Sequence, residues 1–294
     1  MNYLKSIFRA VFAITLFSIT TVVLAAQVKI VVPLAPGGAG DWQAQHIAKW
    51  LKDTRDIDTV LIHKPGAEGL IGARELNSSK KDGTAIGIFS ISVLSKTREE
   101  VPVTLVSALR QTASVLVVRQ DLDVKDYDDL IRKMQTTSYN IGTAGAGHNV
   151  LWKQIRNNER ITQDQIMVNF KGGSQVAVNL AGGHVDAAML PVDVAREYIA
   201  AGKMKSLATS FPIDGIGGVV LEKRYPSWVD FSGLNMVLPQ GVGQSVQDQW
   251  VDIVRAYLTD PVVIQDFKKL SSQPFKIGPH QLNNYVSRFN ELQK

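Results

Sequence analysis

The feature that most constrains this chain is an alternation with glycine at its joins. Short apolar runs rich in β-branched residues trade places with amphipathic helical patterns. "VKIVVPL" (28–34) reads as a buried strand by its run length and its valines and isoleucine. It passes into "APGGAGD" (35–41), and from Asp41 the pattern turns helical, with Ala44, Ile47, Ala48 and Leu51 at i, i+3, i+4 and i+7. "DTVLIHK" (58–64) is a second strand, "GLIGARELNSS" (69–79) a second helix and "TAIGIFSIS" (84–92) a third strand. Strand, helix, strand, helix, strand in this order predicts a parallel sheet with covering helices.

The alternation resumes further on. "SVLVVRQDLDVKDYDDLIRKMQ" (114–135) gives a strand and a helix with Tyr127, Leu130, Ile131 and Met134 on one face. "YNIGTAGAG" and "QIMVNFKGG" are strands running into glycine loops, followed by helices that open at "HNVLWKQIR" and "SQVAVNLAGG". "HVDAAML" is a strand, "VDVAREYIAAGK" a helix stopped by Gly202, and "MKSLATS" a strand. The C-terminal part is helical, and Pro261 sits where a further helix can begin. The expected fold class is α/β in two lobes, each a mainly parallel sheet flanked by helices. The expected ranges are 26–118 plus 236–294 for the first lobe and 119–235 for the second. In open α/β sheets ligands bind beyond the carboxyl ends of strands. The loops at 35–41, 65–69, 143–149 and 171–174 all follow strands, so two facing lobes would bring them to one cleft.

The first residues stand apart. "MNYLKSIFRAVFAITLFSITTVVLAAQ" has Lys5 and Arg9 ahead of an apolar run from Ala10 to Leu24, then small residues. That is the layout of a secretory signal, cleaved after Ala25 with Val23 and Ala25 at the critical positions, or after Ala26. The expected signal peptide is therefore 1–25 and the expected location periplasmic. The sequence has no cysteine, so neither a lipoprotein anchor nor a disulfide is available. Losing Lys5 and Arg9 lowers the formal charge from +5 to +3. With acidic and basic residues interspersed, nucleic acid is not an expected partner.

The loops offer chemistry suited to an anion. Helix N-termini carry unpaired N–H groups and partial positive charge, and glycines admit close approach. Asp41 is placed as an N-cap; an ordinary capped turn is the plain alternative. "HKPGAEGLIGA" repeats the device with Pro65, Gly66 and Gly69, and "GTAGAGHN" adds Thr143, His148 and Asn149 as donors. Lys171 beside Gly172 and Gly173 reads as a solvated lysine, and Asp193 as a cap. No cysteine nucleophile exists, no Gly-x-Ser-x-Gly elbow is present, and the five histidines (His46, His63, His148, His184, His280) lack metal-ligand spacing. Binding is thus expected ahead of catalysis, with no cofactor.

Taken in order, "VVPLAPGGAGD", "HKPGAEGLIGA", "KDGTAIGIFS", "IGTAGAGHN" and "NFKGGSQVAVNLAGGHVDAAML" resemble the extracytoplasmic solute receptors of tripartite tricarboxylate transporters, the Bug or TctC-like family. The likeness spans nearly the whole mature chain. It implies a two-lobed periplasmic binding protein of type II-like architecture, a monomer that takes a small carboxylate in a closing cleft and passes it to membrane transporter subunits. Carried over by position, Ala35, Pro36, Gly37, Gly38, Ala39 and Asp41, with Gly66, Ala67 and Gly69, would form a first-lobe carboxylate cradle. Ser90 and Ser92 follow the third strand. Thr143, Ala144, Gly145, His148 and Asn149, with Lys171, Gly172, Gly173 and Asp193, would face them.

Departures from the family pattern mark the second half of the site. The family's usual Ser and His fall on His148 and Leu151, its acidic residue falls on Leu190 with Asp193 nearby but not aligned, and Glu68 interrupts the second glycine pair. An acid lost at Leu190 points to a ligand without a distal amino group, with His148, Asn149 and Leu190 deciding what the other end may be. Two other classes stay open on sequence: a receptor that feeds a sensor kinase, and a periplasmic hydrolase that reuses the fold.

Overall fold

A computed structural model describes residues 27–34, 36–143, 146–170 and 172–293. The expected signal peptide lies outside the described residues, as do Ala35, Ala144, Gly145 and Lys171. The chain opens with β1 (Val28–Val32), α1 (Ala39–Arg55), β2 (Thr59–His63), a 3₁₀ turn at Ala67–Gly69, α2 (Leu70–Asn77), β3 (Ala85–Ser90), α3 (Ile91–Glu100) and β4 (Thr104–Thr112). It continues through β5 (Ser114–Arg119), α4 (Tyr127–Met134), β6 (Asn140–Thr143), α5 (Ala146–Asn158), β7 (Ile166–Asn169), α6 (Gly173–Ala181), β8 (Ala187–Pro191), α7 (Val192–Ala200), β9 (Met204–Thr209), β10 (Val219–Val220) and α8 (Leu221–Arg224). It ends with β11 (Gly233–Leu238), α9 (Gln244–Thr259), α10 (Pro261–Lys269), β12 (Ser272–Pro274) and α11 (Pro279–Gln293).

These elements build two six-stranded sheets, ordered β12-β4-β11-β3-β1-β2 and β10-β9-β5-β8-β6-β7. In each, three neighbouring strands are parallel: β2-β1-β3 in the first and β7-β6-β8 in the second. Each then accepts one antiparallel strand that arrives from the other lobe, β11 beside β3 and β5 beside β8. Both sheets are therefore mixed. Helices cover both faces, so the central strands are buried on each side and carry continuous apolar runs rather than alternation. Ile30, Val31 and Val32 are fully buried, as are Ile86, Ile88 and Phe89 of β3.

The helical periodicities hold. Ala44, Ile47 and Leu51 of α1 are fully buried, and Tyr127, Leu130, Ile131 and Met134 of α4 all face the core. Pro261 occupies the first turn of α10, where its missing N–H costs nothing, and the Asp260 carboxylate caps that turn by accepting from Val262 N–H at 2.8 Å.

The chain passes between sheets twice. It leaves the first at Ala113, because Ser114–Arg119 pairs with β8 and β9. It returns at Gly233, where β11 inserts between β3 and β4. The expected ranges, drawn at 118 and 236, fall inside or at the end of strands that belong to one sheet each. An apolar strand carries no mark of which sheet it will join. The two crossings are tied together: Gln111 Nε2 donates to Asp230 O at 3.0 Å, Tyr285 Oη donates to the same carbonyl at 2.7 Å, and Ser232 Oγ donates to Thr112 O. Helix α11, which supplies Tyr285, packs on α3 and β4 of the first lobe and on α5 of the second. Its Phe289 and Tyr285 stack around Phe231 at centroid distances of 5.1 and 5.0 Å.

Candidate functional site

A cavity of about 460 Å³ opens between the lobes. Its walls are helix beginnings. The first turns of α1 (Ala39, Gly40), α3 (Ile91, Ser92), α5 (Ala146, Gly147, His148), α6 (Gly173, Ser174) and α7 (Asp193, Val194) all line it. The first N–H groups of a helix have no intrahelical acceptor and sit at the positive end of its dipole. Five such ends converge here, two from the first lobe and three from the second.

The loop ahead of α1 owes its shape to Asp41. The helix begins at Ala39 with Gly38 at the cap, so Asp41 is the third helical residue and not the N-cap that the sequence suggested. The residue is 6% exposed, and its side chain reaches back. Oδ2 accepts from Gly37 N–H at 2.8 Å and from Gln45 Nε2 at 3.0 Å, and Oδ1 meets His63 Nε2 at 2.9 Å. The Gly37 N–H, then Gln45 and His63, hold the carboxyl below its ordinary value of 3.8, and burial opposes them. Gly37 takes φ +85°, which only glycine adopts without strain. Asp41 thus fixes the loop and joins it to β2, while Gly37, Gly38, Ala39 and Gly40 face the cavity. Pro36 stays exposed on the outside.

The second glycine loop is placed differently. Gly66 and Gly69 line a neighbouring cavity of about 540 Å³, together with Glu68 and Lys96. The two cavities adjoin along Leu34, Ser92 and Ala146, which line both. The backbone from Gly66 to Gly69 holds four successive positive φ angles, including Ala67 and Glu68. That arrangement stores strain of order 1 kcal/mol or more at each non-glycine residue. Gly69 is obligatory, since a Cβ there would stand 2.6 Å from Val93.

Among the other expected residues, Ser90 and Ser92 line the first cavity, their hydroxyls 3.0 Å apart, and Ser90 caps α3. His148, Gly173 and Asp193 line it as well. Gly172 caps α6 just outside. Thr143 is buried, donating to Asn169 Oδ1 at 2.7 Å, and Asn149 donates to the same oxygen at 3.2 Å and faces a separate outer groove. Leu190 does not face the ligand space at all: it is fully buried beneath α6 and α7, in one core with Val115, Val176 and Leu180. The acidic side chain at the cavity is Asp193, exposed, its Oδ1 accepting from Val194 N–H at 3.0 Å. Leu151, at the family's histidine position, does line the cavity.

The sequence pattern gave no sign of the cavity floor. Arg110 and Thr112 at the end of β4, and Phe231 and Ser232 at the return crossing, close it from below. Arg110 is 3% exposed and lies over the Trp42 ring at 4.8 Å. It sits in a strand with no motif around it, and only the arrival of α1 and β12 buries it.

Comparison with known proteins agrees with this architecture. The model of the tripartite tricarboxylate transporter family receptor, TctC, matches residues 44–290. The chain belongs to that receptor family. Protein BugT of Bordetella pertussis is 24% identical over 296 residues, covering 92% of this chain and 87% of that protein. Among solved structures, Rpa4515 of R. palustris with adipate superposes with a TM-score of 0.74 at 19% identity, covering 90% of this chain and 95% of that one. MatC of Rhodopseudomonas palustris with bound malate gives 0.68 at 19% identity, with coverage of 91% and 99%. The periplasmic binding protein BugD shares the fold as well, with a TM-score of 0.68 at 20% identity, covering 91% of this chain and 95% of that one.

Proposed function

We propose that this receptor captures a small organic carboxylate in the interlobe cavity and presents it to a tripartite tricarboxylate-type membrane transporter from the periplasm. The observation that carries the reading is the convergence of five helix N-termini on one cavity in a receptor of this family. Each end favours negative charge, and a carboxylate seated there accepts backbone N–H groups that have no partner within the helix. Relatives of the same fold solved with adipate and malate agree with an acid of that size. The two tied crossings would serve as the hinge, and contacts from both lobes would favour the closed state when ligand is present. The ligand leaves unchanged.

A thermal-shift screen of mono-, di- and tricarboxylates tests this. A ligand of the folded state raises its stability by RT ln(1 + [L]/Kd), so one carboxylate class should raise Tm in a concentration-dependent way. A flat response across all carboxylates, with a shift from neutral sugars or amines, would refute the reading.

A further inference from the structure

Arg110 is a buried cation without an acid. Its guanidinium has five N–H donors. Nη1 reaches Ser272 Oγ at a long 3.4 Å, and Nε has no hydrogen-bond partner. Among the described residues no acidic side chain lies within the 4.0 Å of an ion pair. The charge that acts on it from a distance is Asp193, on the opposite lobe. Burial lowers its pKa from the ordinary value, as expected for an uncompensated charge, yet a guanidinium keeps its proton at any physiological pH. Proteins rarely bury a charge unpaired, and here the group lines the cavity already described.

The arginine is also braced. Trp42, over which it lies, stacks on His46 at 4.6 Å, and His46 Nδ1 meets Tyr257 Oη at 2.7 Å. Gln43 Nε2 donates to the same hydroxyl at 2.8 Å, and His46 Nε2 meets Asp266 Oδ2 at 3.2 Å. Three helices, α1, α9 and α10, thus hold the indole that holds the guanidinium. None of these partners neutralises it by direct contact. A planar fork fixed in place and short of acceptors matches a carboxylate, which can accept two parallel N–H bonds.

We propose that Arg110 is the specificity-determining residue of the cavity: it seats the negative group of the ligand and makes the receptor discriminate a carboxylate from its uncharged isostere. The inference rests on the carboxylate reading of the cavity and deepens it. The helix ends supply partial charges that an amide oxygen also satisfies. Arg110 supplies a full charge that an amide does not. Asp193 lies across the space as the opposing charge, so it weakens the seat for every anion and its removal should strengthen it.

Isothermal titration of the purified protein with succinate, glutarate and citrate, and with the corresponding amides, provides the test. The wild type should prefer the acid over the amide by about 100-fold. Arg110→Met, which keeps the apolar contact with Trp42, should reduce that preference to a few-fold, and Arg110→Lys should retain about a tenth of it. If Arg110→Met fails to fold, Arg110→Gln, which keeps a donor toward Ser272 Oγ, decides instead by the same loss of preference. A wild-type protein that binds no acid overturns both this inference and the proposed function. A wild type that binds acids while Arg110→Met, or Arg110→Gln in its place, keeps the full preference overturns this inference alone.

Discussion

The two lobes repeat one sheet order yet furnish the cavity in opposite ways. In each, three parallel strands are followed by an antiparallel strand lent by the other lobe. The first lobe contributes two helix beginnings, a glycine loop pinned by Asp41 and a buried cation, Arg110. The second contributes three helix beginnings and the acid Asp193. The same topology therefore serves two chemistries, and the difference lies in single side chains in first helical turns and near one strand end. In the proposed reading the first lobe holds charge and the second limits what surrounds it.

That division can be broken at several points. The largest effect is expected from restoring the family's acid, Leu190→Asp. The side chain is fully buried in the core of the second lobe, so the change removes apolar packing and buries a carboxyl, costing about 5 kcal/mol or more. Urea unfolding should find the variant largely unfolded; a stable variant with altered ligand preference would return Leu190 to the site. Next comes Phe289→Ala. Its ring is buried on Phe231 at the return crossing, and its loss should cost about 3–5 kcal/mol. If α11 braces the lobes against each other, circular dichroism and tryptophan fluorescence should then report separate transitions. Coincident curves would mean the lobes cohere without it.

A smaller and more local effect is expected at Asp41. Asp41→Ala frees the Gly37 N–H and unties His63, and calorimetry should show carboxylate affinity lower by roughly tenfold with the acid-to-amide preference intact. Loss of the preference itself would merge the roles of Asp41 and Arg110. The smallest effect is in pH. Because the folded-state pKa of Asp41 is lowered from 3.8, the unfolded chain binds the extra proton, and the contribution is complete above that value and lost as pH falls through the lower one. Thermal melts between pH 5 and pH 2.5 should show a shallower acid decline in Asp41→Asn than in wild type.

The legible part of the molecule was the part written in runs and periods. β1, α1, α4 and the start of α10 follow from local pattern, as does the glycine loop at 37–40. Helix α3 was not legible, because Ile91, Val93 and Leu94 continue the apolar run of β3 and only the Ser90 cap divides them. The side of each crossing was not legible either, since Ser114–Arg119 would suit either sheet. Asp41 reads as an N-cap, but it reaches back to Gly37 and across to His63: the second contact spans two elements, and capping grammar is local. Arg110 was missed for a deeper reason. One arginine in a strand reads as an exposed edge residue until Trp42 and Ser272, far away in sequence, close over it.

The position of that floor has a mechanical consequence. Arg110 and Thr112 stand just before one crossing, and Phe231 and Ser232 just before the other. If the tied crossings serve as the proposed hinge, rotation about them moves points in proportion to their distance from the axle. A group resting on Arg110 lies beside that axle and is carried little, whereas Asp193 and the beginning of α7 lie across the cavity on the rotating lobe and sweep a longer arc. In the proposed reading the charge of a ligand is thus gauged at the fulcrum, where nothing needs to move, and its length at the end of the lever, where closure itself takes the measurement.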